Sequence, residues 1–151
     1  MRVYLVIIDE TEEARVALRF ATRRAAKTSG SVHLLALVPR QPFIAFGGLQ
    51  ATIEAEALER AEALVANAAD AISGDIATLP AIAVRQGDGV EVVRAYLAEH
   101  PEVAALVLGA ARDGGPGPLV SHFTGAGAGQ MPCPVFIVPG SLSEGDIDRL
   151  S

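Results

Sequence analysis

Residues 103–140 read VAALVLGAARDGGPGPLVSHFTGAGAGQMPCPVFIVPG, and this stretch decides the fold. Ala104 to Leu108 are a continuous apolar run bounded by Glu102 and Gly109, the pattern of a strand covered on both faces. From Gly109 to Gly117, four glycines and one proline break regular structure and let main-chain N–H groups approach a ligand. Pro118, at a first helical position ahead of Leu119, Val120 and Phe123, predicts a helix whose N-terminus faces that loop. Val135 to Val138 reads as a second buried strand. Strand, glycine loop, helix and strand in this order are how an open α/β sheet builds a phosphate-sized pocket above its strand ends.

Upstream the same alternation continues. Arg2 to Ile8 is a β-branched run ending at Asp9-Glu10, a buried strand with carboxylates at its C-terminal end. Thr11 offers an N-cap, Glu12 and Glu13 suit the helix dipole, and Ala14, Ala17, Leu18, Ala21 and Ala25 form an apolar stripe that stops at Ser29-Gly30. Val32 to Val38 is the second strand. The connection after it carries Phe43, Ile44 and Phe46, too apolar for an idle solvent loop; a lid over the cleft, a dimer contact and a local mini-core all fit. A long helix from about Leu49 to Ser73 places Ile53, Ala57, Leu58, Leu64, Val65 and Ile72 on one face. Ala81 to Arg85 is the third strand, and an amphipathic helix with Val90, Val93 and Leu97 follows Gly87-Asp88-Gly89.

Strands alternating with helices through short turns mean a parallel sheet, and right-handed crossovers put helices on both faces. The predicted fold is a doubly wound α/β domain over residues 1–151, with five strands in the order 3-2-1-4-5. Strands 1 and 4 are then neighbours whose connections leave toward opposite faces. A ligand crevice opens between the loops after Ile8 and Leu108, where Asp9 meets the Gly109 loop. Strand 5 becomes an edge, and Val135-Phe-Ile-Val138 has no charge or internal proline to blunt it, which predicts a homodimer paired through that strand.

Composition narrows the function classes. A chain of 151 residues is long enough to bury roughly 70% of its unfolded surface without staples. Half of the residues are apolar but only 5% are aromatic, so the core is aliphatic and alanine-rich. A formal net charge of −6 without a clustered basic face argues against nucleic acid and anionic membrane surfaces. The single cysteine, Cys133, excludes an intrachain disulfide and a thiolate metal cluster. No apolar run reaches membrane-spanning length and MRVYLVIIDE turns acidic too early for a signal peptide, so a cytoplasmic location is expected.

The pieces LVIIDETEEARVALRFATRRAA, VHLLALVP, RQGDGVEVVRAYLAEH, and VAALVLGA through MPCPVFIVPG together resemble the universal stress protein family over nearly the whole length. The resemblance implies the adenine nucleotide alpha hydrolase-like sheet order already deduced and dimerisation through the last strand. For many members it implies ATP, or a related nucleotide such as AMP with magnesium, bound between strands 1 and 4. The aspartate of strand 1 then lies near the adenine, beside the end of strand 2 at Val38. The family motif runs glycine, two residues, glycine, nine residues, then glycine followed by serine or threonine. Here Asp9 and Gly109 are kept, but Arg112 stands where the second glycine belongs, and His122-Phe123, or Ser121-His122 in a shorter register, where the motif ends.

Two readings follow from the broken motif. In one, Gly114, Gly115 and Gly117 rebuild a phosphate cradle in a new register, with charge from Arg112, a hydroxyl from Ser121 or Thr124, and His122 near the phosphate. In the other, favoured by the break, GGPG is only a turn before a proline-started helix, and the protein is a non-catalytic module acting through protein contacts. A slow nucleotide hydrolase ranks last, because no general base is recognisable beyond Asp9. Asp9 itself serves equally well as a ligand contact or as an acceptor of N–H bonds at the start of the first helix. Gly125-Ala-Gly127-Ala-Gly129 follows a helix and precedes a strand, the wrong context for a dinucleotide fingerprint. His33, His100 and His122 have no helical or ribbon spacing between any pair, so no metal site is expected.

Overall fold

The computed structural model describes residues 1–40 and 47–151, so Phe43, Ile44 and Phe46 lie outside the described residues. Strand β1, Val3–Ile8, is buried at every position. It pairs in parallel with β2, Ser31–Val38, from Val3↔Ser31 to Ile8↔Ala36, and on its other side with β4, Val103–Ala110. With β3, Ala81–Gln86, and β5, Val135–Pro139, at the edges, the order is β3-β2-β1-β4-β5, all parallel, as the alternation predicted.

Alternating side chains of β1 feed two cores, which is why a strand at the middle of the sheet reads as continuous apolar sequence. Tyr4, Val6 and Ile8 pack against α1, Glu12–Thr28, and α2, Gly47–Ile72. Val3, Leu5 and Ile7 pack on the opposite face against α3, Gly89–Glu99, and α4, Pro118–Thr124. Helix α1 lies close to the sheet because Ala17, Ala21 and Ala25 carry only methyl groups, all fully buried. Its N-cap is Thr11, whose Oγ1 accepts the Ala14 N–H at 3.2 Å. Leu58 departs from the predicted stripe of α2. It is exposed, while Ala57, Val65 and Ile72 carry the contact. Helix α4 starts at Pro118 as expected and stops at Thr124, where Gly125 donates its N–H to the His122 carbonyl at 3.2 Å. A short 3₁₀ turn, Ala128–Gln130, leads on to β5.

Helix α5, Glu144–Leu150, is capped by Ser143 Oγ, which accepts the Asp146 N–H at 3.1 Å, and it buries Ile147. It docks on α1 through Asp148. Arg19 donates Nε to Oδ1 at 3.0 Å and Nη2 to Oδ2 at 2.8 Å, while Arg23 Nε donates to Oδ1 at 3.1 Å. Lys27 Nζ donates to the Asp148 carbonyl at 2.7 Å. The hydrogen bond from Arg19, reinforced by both guanidinium charges, holds the Asp148 carboxyl below its ordinary pKa. A carboxylate with a depressed folded pKa adds stability above the unfolded value, about 3.9, and loses it as the pH falls through the folded value. Asp148→Asn should therefore lower the melting temperature at neutral pH, with a difference from wild type that shrinks below about pH 4. Thermal unfolding of both proteins across that range is the check; an undiminished difference in acid would show that the charge of Asp148 is not what stabilises the docking.

Candidate functional site

A cleft of about 1070 Å³ opens above the C-terminal ends of β1, β2 and β4. It sits where the connections of β1 and β4 part to opposite faces, the place that open α/β sheets reserve for ligands. Asp9 from the end of β1, Val38 from the end of β2, Gly109 of β4 and Gly117 ahead of α4 all line it. These four of the nine residues singled out in the sequence come together. Arg112, Gly114 and Gly115 stand on an exposed loop and are not among the lining residues. Ser121 is exposed on α4. His122 meets Arg94 of α3, with Nε2 and Nη2 3.1 Å apart, and a side chain added at Gly127 would lie 2.6 Å from that Nε2, so His122 is packed away from the cleft.

Three of the four have a local physical reason. Asp9 Oδ1 accepts both the backbone N–H of Thr11 at 2.8 Å and its hydroxyl, which fixes the turn from β1 into α1. Gly109 is a glycine because a Cβ there would overlap the main-chain carbonyl of Glu13, so α1 crosses β4 at backbone contact. Gly140 supports the same corner, donating its N–H to the Ala110 carbonyl at 2.8 Å. Gly117 has φ of +102°, a backbone state that side chains resist, and its carbonyl accepts the Ser121 N–H to open α4.

The lining of the cleft carries charges of both signs. Gly109, Pro116, Gly117 and Pro118 of the glycine loop line the cleft with Leu119 and Val120 of α4, and the two prolines have no N–H to offer. The N-terminus of α1 already carries Glu12 and Glu13, and that of α3 is capped by Asp88, whose Oδ1 accepts the Glu91 N–H at 3.1 Å. Glu10, Glu13 and Asp88 line the cleft beside Asp9, balanced by Arg40 and Arg60 at the end nearer β2 and α2. Sequence reasoning missed these two arginines. Arg60 follows Ala57 and precedes Ala61 on the edge of the α2 stripe, a position whose cleft-facing role depends on where α2 lies across the sheet.

The sequence profile of the universal stress protein family matches residues 1–139. The chain belongs to the universal stress protein family. Solved structures agree on the fold. Universal stress protein UspA from Lactobacillus plantarum is 16% identical with a TM-score of 0.76, the match covering 91% of this chain and 97% of that one. A universal stress protein in complex with cAMP is 18% identical with a TM-score of 0.62, covering 93% and 98%. A universal stress protein family protein from Arabidopsis thaliana with AMP bound is 12% identical with a TM-score of 0.56, covering 92% of each chain. A search of curated proteins found no match. Helix α5 lies beyond the family match.

Two further groups bear on chemistry. Cys133 is half-buried and its thiol is pushed up by burial, the state of a packed thiol and not of an activated nucleophile. His33 and His100, which the spacing kept apart, are brought to ring centroids 5.5 Å apart beside Tyr96, at the opposite end of the sheet from the cleft. No helix among the described residues is long and apolar enough to cross a membrane.

The backbone contact at Gly109 makes a prediction. Gly109→Val should force α1 off β4 and cost about 1–3 kcal/mol or more, as overpacking does. Chemical denaturation would read the loss; an unchanged midpoint would show that α1 does not cross β4 as closely as described.

Proposed function

We propose that this universal stress protein is a non-catalytic regulatory module whose cleft takes an adenosine-type ligand, and that occupancy changes its contacts with protein partners. ATP is not held through a glycine-loop cradle. The observation that carries this is the lining itself: Asp9, Glu10, Glu13 and Asp88 place four carboxylates around the cleft, and the glycine loop turns Pro116 and Pro118, which have no N–H, toward it. Arg112 is not among the lining residues, and the cations that are, Arg40 and Arg60, stand on the side of β2 and α2, away from the loop. The apolar floor of Ile7, Ile8, Ala36 and Val38 suits a flat base, and Asp9 stands beside it. The cAMP and AMP carried by two neighbours of this fold are both adenosine with a single phosphate. Magnesium would enter with a polyphosphate and has no role in this reading.

Thermal unfolding with adenosine, AMP, cAMP and ATP with magnesium tests it. A hundredfold excess over the dissociation constant adds about 2.7 kcal/mol when only the folded form binds. Adenosine and AMP should shift the melting temperature at least as much as ATP, and Val38→Trp should abolish the shift. A shift confined to ATP with magnesium would restore the phosphate cradle. No shift with any of the four would overturn the ligand reading and leave a module that acts by protein contact alone.

A homodimer through β5 is part of the proposal. Val135–Pro139 is an open edge without a charge, and Ile137 is 36% exposed on it. Sedimentation equilibrium should give a dimer that Ile137→Lys converts to monomer; a wild-type monomer at micromolar concentration would count against the pairing.

A further inference from the structure

We propose that His33, His100 and Glu102 form a binding site for a zinc-class divalent cation at the N-terminal end of the sheet. Each offers one ligand atom, and the three atoms lie within 4.8 Å of one another. The site is assembled by the fold from separate elements. His33 is near the start of β2, opposite Ala81 where β3 begins. His100 ends α3, its N–H bonded to the Tyr96 carbonyl at 3.0 Å, and Glu102 sits in the tight turn closed by Val103 N–H on the His100 carbonyl, also 3.0 Å.

The surroundings hold two of the three groups in place, as a metal site requires. Tyr96 Oη pairs with His33 Nδ1 at 2.8 Å, which sets the plane of the ring and assigns Nε2 to the metal. The Tyr96 ring stacks on His100, with centroids 4.1 Å apart and planes 26° from parallel. Glu102 is the adjustable member. Its carboxylate accepts from His100 Nδ1 at 2.8 Å, and its side chain is about half exposed, free to rotate onto an ion. Bonds of about 2.0–2.2 Å require donor atoms closer than that limit, so an ion would draw in the Glu102 carboxylate by rotation and the His100 ring by a small turn of its side chain.

Two imidazoles and a carboxylate match zinc and its borderline neighbours, whereas calcium and magnesium call for oxygen donors throughout. Three protein ligands leave a fourth position for water or another donor. Arg85 lies over the Tyr96 ring at 5.0 Å and is paired with Glu99, so its charge is offset locally. A bound ion would tie β2 to the turn between α3 and β4, locking the end of the sheet remote from the cleft. This site stands whether or not the cleft binds adenosine.

The test is titration of chelator-stripped protein with zinc chloride by calorimetry, with cobalt chloride for the ligand-field spectrum. The expected result is one ion per chain and the visible bands of four-coordinate cobalt. His100→Gln and Glu102→Gln should each weaken binding at least tenfold, Tyr96→Phe about tenfold through the lost orienting bond, and His122→Gln should change nothing. Circular dichroism of each variant separates lost ligation from lost folding, and Glu102 is an exposed position where the fold should survive. No saturable zinc binding would overturn the proposal, as would binding that persists unchanged in either His100→Gln or Glu102→Gln.

Discussion

Burial of β1 on both faces is the constraint from which the rest follows. Six consecutive side chains that cannot meet water require cover above and below, so the chain must send helices to both sides of the sheet. The reversal of direction falls between β1 and β4, and there the covering helices part. The cleft is thus a consequence of how the centre of the sheet is covered, and Asp9 and Gly109 are at its mouth because they end the two strands that flank the parting.

How tightly that cover fits decides what the cleft can hold. Alanines on α1 and the bare backbone of Gly109 let the helix settle at carbonyl contact with β4. That closeness gives Gly109 a structural role which would be needed with no ligand at all. The same applies to Asp9, whose carboxylate organises the turn into α1. Retention of these two residues therefore speaks first for the fold. The proposed ligand preference rests instead on the prolines of the loop and on the acids at the N-termini of α1 and α3.

Much of the fold was legible because its signals are local. The apolar run of β1, the Ser29-Gly30 stop and Pro118 at the start of α4 each act within a few residues, and alternation with short turns leaves little choice of topology. The cleft was legible as a place but only partly as a set of residues. Arg112, Gly114 and Gly115 read as a rebuilt cradle in the sequence, yet the loop presents Pro116 to Pro118 inward and leaves the other three outside, a choice of loop direction that composition does not encode. His33 and His100 were invisible as a pair for a different reason. They lie on β2 and at the end of α3, and only the packing of α3 on the sheet brings their rings together.

The central claim, that the cleft engages a base and ribose without a phosphate cradle, is tested most directly by following backbone amide chemical shifts during titration with adenosine. Saturable changes are expected at Asp9, Val38, Gly109 and Gly117, with Gly114 and Gly115 unmoved. Changes concentrated at Arg112 to Gly115, or none at the ends of β1 and β4, would contradict it.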